Sequence, residues 1–137
     1  MSVRDKPLEE LEAVPSTGLE GGSYLLSQLR RLRTVPLKQL RIEDIRLLIG
    51  QSLGLEFLVP MALDHLEAHP LAAGDFYPGD LLKNVMEAPE SLWNNHPELR
   101  ERLVNALERA LQRVRKVNTV PELEGELRAG LKRHAAS

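Results

Sequence analysis

The chain has 137 residues, no cysteine and a formal net charge of −2. That length fits one domain with a sizeable core, and the missing cysteine excludes disulfides, thiolate metal sites and cysteine nucleophiles. No basic, apolar, small-residue leader opens the chain, so Sec-type export is not expected and the cytoplasm is the expected compartment.

Leucine dominates the apolar set and aromatics are scarce, preferences that favour helix over sheet. Residues 1–22 read as a loosely ordered segment with one short helical candidate at 7–14, then Pro15, Gly18, Gly21 and Gly22 as breakers. A single helical domain is expected over 23–137. Ser23 can cap a helix that carries Leu25, Leu26, Leu29 and Leu32 on one side and turns Arg30, Arg31 and Arg33 toward water. Pro36 closes it. Ile42, Ile45, Leu48 and Ile49 follow the three-and-four spacing of an amphipathic helix, and Gly54 marks its end or a sharp corner. A second helix should bury Leu55, Leu58, Ala62, Leu63 and Leu66 before Pro70 halts it, with Pro60 kinking it or breaking it near Leu58. Residues 47–63 are the most apolar run, but Gln51, Glu56, two glycines and Pro60 interrupt them. They read as a buried helical hairpin, since a membrane span needs roughly 20 consecutive apolar residues. Gly50 and Gly54 imply a close backbone approach at the corner.

Residues 71–79 form the one well-marked loop, with Gly74, Pro78 and Gly79. A helix beginning near Pro78 or Asp80 then buries Leu81, Leu82 and Val85. Ser91 can cap a short turn carrying Leu92 and Trp93, the tryptophan reading as a core anchor. Pro97 opens a long helix with a Leu99, Leu103, Leu107, Leu111 and Val114 stripe. Leu123, Leu127 and Leu131 give a last helix, with Lys132, Arg133 and His134 set against the C-terminal end of its dipole. The fold class is all-α, an irregular compact bundle of about six or seven helices.

Charge is unevenly spread. From Gly54 to Leu99 the acids Glu56, Asp64, Glu67, Asp75, Asp80, Glu87, Glu90 and Glu98 face one base, Lys83. From Ser27 to Leu53 the bases Arg30, Arg31, Arg33, Lys38, Arg41 and Arg46 outnumber Glu43 and Asp44. An acidic centre beside basic arms suits a surface for a basic partner better than a catalytic pocket. The short Arg30–Arg33 run lacks aromatic stacking residues, so it reads as a solvated face and direct nucleic-acid binding is not expected.

Catalytic patterns are weak. His65 and His69 share a helical face and could hold a metal, but Leu66 stands where zinc peptidases carry glutamate, and no metal or cofactor is expected. Asp75 and Asp80 bracket Phe76-Tyr77-Pro78-Gly79; they could act as acid and base near a tyrosine, or serve as turn and helix-start residues while the two rings anchor the loop on the core. There is no phosphate-binding glycine loop and no Gly-x-Ser-x-Gly elbow.

The run from Ile42 to Gln51, through Gly54-Leu55-Glu56 and Pro60 to Gly74-Asp75-Phe76-Tyr77-Pro78-Gly79-Asp80-Leu81-Leu82, resembles immunity proteins of bacterial contact-dependent growth inhibition systems. The approach at Leu37 to Leu40 and the Trp93 turn before Pro97 are also similar. From Leu103 onward no detailed similarity is found. The resemblance implies an antidote that binds, one-to-one, a toxin domain delivered by a sibling cell; many such toxins are nucleases with basic clefts. The expected toxin contacts are Glu56, Asp64, Glu67, Asp75, Tyr77 and Asp80. The alternative reading is a non-enzymatic helical adaptor or regulatory subunit of another cytoplasmic assembly. A small metal-dependent hydrolase built on His65 and His69 is a third.

Overall fold

The computed structural model describes residues 2–12 and 22–136. Among them the chain forms eight α-helices, three short 3₁₀ turns and no strand. The helices are α1 (Leu8–Leu11), α2 (Tyr24–Leu32), α3 (Ile42–Gly50), α4 (Leu55–Ala68), α5 (Asp80–Met86), α6 (Glu90–Asn95), α7 (Pro97–Arg113) and α8 (Leu123–Ala135). The all-α class follows from the leucine patterning, and the stripes meet in one core. α7 packs on α8 and α4, while α3 packs on α4 and α5. Leu48, Leu63, Leu66, Leu82, Leu103, Leu107 and Leu127 are fully buried where these helices cross.

Local chemistry sets most boundaries. Ser23 Oγ accepts the Leu26 N–H at 3.1 Å and so caps α2. Gly54 turns the corner between α3 and α4 in the left-handed region, at φ 62°. A side chain there would also meet Leu8 at 2.7 Å, so the close approach expected of this glycine is present. Pro97 takes the first position of α7, where its missing N–H costs no helical bond. Trp93 is fully buried and donates its indole N–H to the Ala88 carbonyl at 3.1 Å.

Several expectations need correcting. Of the kink at Pro60 or break near Leu58, the break does not occur: α4 runs on from Leu55 to Ala68, and the carbonyl left without its donor belongs to Glu56, an exposed residue. Ser91 is not a cap, because α6 starts one residue earlier, at Glu90, with the Leu92 N–H bonded to the Pro89 carbonyl. In α2 the buried stripe is Leu29 and Leu32, and Leu25 is 40% exposed. Arg33 is buried rather than turned to water, since the opening segment runs across it and the Glu9 N–H bonds its carbonyl at 3.0 Å. His134 is buried too: it packs edge-on to Trp93 with ring centroids 5.4 Å apart.

The opening segment lies against the domain from Ser2 to Glu12. Leu8 is fully buried, the Leu37 N–H donates to the Lys6 carbonyl at 3.1 Å, and Pro7 forms an isolated bridge with Pro36. Lys38 pairs with Asp5 at 2.6 Å and Arg4 with Asp64 at 2.7 Å. Val14, Pro15, Gly18 and Gly21 fall outside the described residues.

Candidate functional site

The loop between α4 and α5 is fixed from below by two carboxylates. Asp80, itself buried, accepts the backbone N–H groups of Gly74 at 2.7 Å, Phe76 at 3.1 Å and Tyr77 at 3.4 Å. Glu43 on α3 accepts the Asp75 N–H at 2.9 Å. Arg46, one turn along α3, makes two parallel 2.7 Å bonds to Glu43 and lies 3.9 Å from Asp80. This bidentate geometry holds the Glu43 carboxyl below its ordinary pKa and the Arg46 guanidinium above its own. The loop's ends are tied by the Gly79 N–H to the Leu71 carbonyl at 3.1 Å, and by Thr119 Oγ1 to the Pro78 carbonyl at 2.6 Å. Gly79 sits at φ 98°, and a Cβ there would be 2.5 Å from Leu123, so the Pro78-Gly79 turn tolerates only glycine.

Of the two rings, only Tyr77 packs on the core; its partial burial raises its hydroxyl pKa. Phe76 does not anchor the loop. It is 69% exposed, and the Arg46 guanidinium lies over its ring, 4.5 Å from the centroid. Asp80 takes the anchoring role instead, because a buried carboxylate can satisfy three loop donors and a phenyl ring none.

The second group lies on the outer face of α4, where Glu56, Asp64 and Glu67 recur at helical spacing. Arg102 on α7 reaches both Glu67, at 2.8 Å, and Asp64, at 2.7 Å. Arg4 closes on Asp64 from the other side, and Arg109 donates to the Glu67 carbonyl at 2.6 Å. Burial pushes the Asp64 carboxyl up, but Arg4 and Arg102 outweigh it and leave the group below its usual range. The Arg102 hydrogen bonds likewise lower Glu67. Among the described residues Glu56 faces only His96, at 3.8 Å, and His96 also lies 3.3 Å from Glu98.

The acidic centre of the sequence is therefore largely offset in space. Asp64 and Glu67 meet arginines, Glu87 meets Lys83 at 3.3 Å, Glu90 meets Arg100, and Asp80 meets Arg46. Asp75 is exposed, and no hydrogen bond or ion pair is made by its carboxylate among the described residues. The six expected contact residues thus divide: Glu56, Asp64 and Glu67 on α4, and Asp75, Tyr77 and Asp80 in the loop. Sequence reasoning missed Glu43, Arg46, Arg102 and Arg4. The Glu43–Arg46 pair was readable as an i,i+3 couple on a predicted helix. Arg102 reaches residues 35 and 38 positions away, and no local pattern signals that.

His65 is half-buried and His69 sits exposed just past the end of α4. Among the described residues no group of three or more histidines and carboxylates is placed to hold a metal ion. No helix among them is long and apolar enough to cross a membrane. Asp80 starts α5 and its carboxylate is taken up by loop amides, the helix-start role expected of it.

Fold and surface together define a compact helical protein that displays a braced loop and a charged helix face. The family model for CDI immunity proteins matches residues 10–103. The chain belongs to the CDI immunity protein family, the immunity components of contact-dependent growth inhibition. The match spans the central helices and the Phe-Tyr-Pro-Gly-Asp loop, and ends where the detailed sequence resemblance does. Searches of curated proteins and of solved structures gave no match.

Proposed function

We propose that the protein is the antidote to one cognate toxin domain. It binds that domain one-to-one in the cytoplasm, catalyses nothing itself, and the toxin is a nuclease with a basic cleft. Membership of the immunity family carries this reading, since it implies a toxin protein as partner. The charge distribution supports it: Glu56 and Asp75 are exposed carboxylates with no arginine or lysine paired to them among the described residues, and such groups speed encounter with a basic surface. The contact set is Glu56, Asp64 and Glu67 on α4 with Asp75 and Tyr77 on the loop, and Asp80 supports that loop from beneath.

The test is co-expression with the toxin domain encoded immediately upstream, scored by survival and by calorimetry of the purified pair. Rescue with nanomolar one-to-one binding is expected. Neither rescue nor binding, with both proteins folded, would sink the antidote reading and favour the adaptor alternative.

A further inference from the structure

An exposed phenylalanine on a rigid loop is unusual enough to need a reason. Phe76 contributes little to the core, being 69% exposed, yet its backbone is fixed by Asp80 and its neighbour's by Glu43. Arg46 covers one face of the ring at 4.5 Å. The remaining exposure belongs to the opposite face and the edge. The neighbouring Asp75 carboxylate makes no ion pair among the described residues, though it acts on Arg46 at longer range. The charge nearby is four carboxylates, Glu43, Asp44, Asp75 and Asp80, against the three guanidiniums of Arg31, Arg41 and Arg46. Asp75 also lines a hollow of about 180 Å³ together with Arg31, Arg41 and Tyr24, a second ring, 79% exposed.

We infer that the Asp75–Phe76 tip is a receptor for an arginine of the toxin domain, whose guanidinium stacks on the outer face of Phe76 and pairs with Asp75. The inference rests on the antidote reading and specifies its partner chemistry. A guanidinium fits better than an ammonium because it is planar, is weakly hydrated, and can stack and donate at once. Net negative charge at the tip favours a cation over an acidic or neutral side chain. The ordering of the loop is already provided by Asp80, Glu43 and Arg46, so docking immobilises little that was mobile.

The experiment compares binding of the intact toxin domain to the wild-type protein and to Phe76→Leu, Phe76→Trp and Asp75→Asn. Each variant is checked by thermal melting, which these exposed positions should leave unchanged. Phe76→Leu keeps apolar bulk but removes the ring, and should raise Kd about tenfold. Asp75→Asn should do the same and flatten the salt dependence, whereas Phe76→Trp should bind at least as well as the wild type. The second arm replaces the toxin's arginines singly by glutamine and forms double-mutant cycles with Phe76→Leu; one arginine should show strong non-additivity. Undiminished binding by Phe76→Leu, or no coupling to any arginine, would overturn the inference while leaving the antidote reading intact. Failure of the wild type to bind the toxin would instead sink that reading itself.

Discussion

Burial holds the His134 imidazole below its ordinary pKa. Its Nε2 lies 3.0 Å from the Met86 carbonyl and 3.1 Å from Arg133 Nη2, and its buried Nδ1 has no hydrogen-bond partner among the described residues. In the unfolded chain the same ring titrates near 6.5. Below that pH the unfolded state takes up a proton that the folded state refuses, so this contribution is complete above about 6.5 and is lost as pH falls toward the folded value. Denaturant unfolding at pH 7.5 and 5.5 should find the wild type weaker at 5.5, and His134→Leu should flatten that difference. The carboxylates lowered by their arginines (Glu43, Asp64 and Glu67) titrate at lower pH and do not confound this window. Glu56 is the cleanest residue for testing encounter. Among the described residues it has no arginine or lysine partner to disturb, so Glu56→Lys should slow toxin association and reduce its salt dependence while leaving melting unchanged. Reversing Asp64 or Glu67 would confuse the outcome, because each also holds Arg102.

At the level of elements, the sequence was legible wherever one residue type dictates a local conformation. Ser23 at the start of α2, Gly54 at the corner and Pro97 opening α7 each act within a turn of themselves, and each was readable. Failures occurred where distant chain decides. Arg33 reads as a solvent residue on α2 until residues 6–9 cross it, and His134 reads as a dipole partner until Trp93 is set against it. The Phe-Tyr-Pro-Gly-Asp loop was located correctly, with Tyr77 on the core and Asp80 at the start of α5 as expected, but the Phe76 ring lies outside and the Asp80 carboxylate does the anchoring. Asp80→Ala would strip the acceptor from three loop amides and should cost about 2–3 kcal/mol. Leu63→Ala, deep in the α4 stripe, should cost about 2–5 kcal/mol. Thermal and denaturant melts check both, and an unmoved midpoint would mean the loop or the hairpin is held by something else.

For the molecule as a whole, linear charge order proved a poor guide to surface charge. The acids that cluster between residues 54 and 99 are met by arginines from either side of them in the sequence, Arg4 before and Arg102 after. The opening segment is thereby part of the fold: Leu8 fills the space against Gly54, and Leu8→Ala should lower stability by about 2–5 kcal/mol, a loss that denaturant titration would register. The braced loop has a further consequence. What holds its backbone (Glu43, Arg46, Gly74, Gly79 and Asp80) is largely distinct from the side chains it displays, Asp75 and Phe76, which meet the frame only where Arg46 lies over the Phe76 ring and feels the Asp75 charge. Substitutions at the displayed pair can alter the surface without loosening the frame. If the proposed contact holds, a lineage whose toxin drifts could re-match it by exchanging two side chains, with the fold's stability left out of the negotiation.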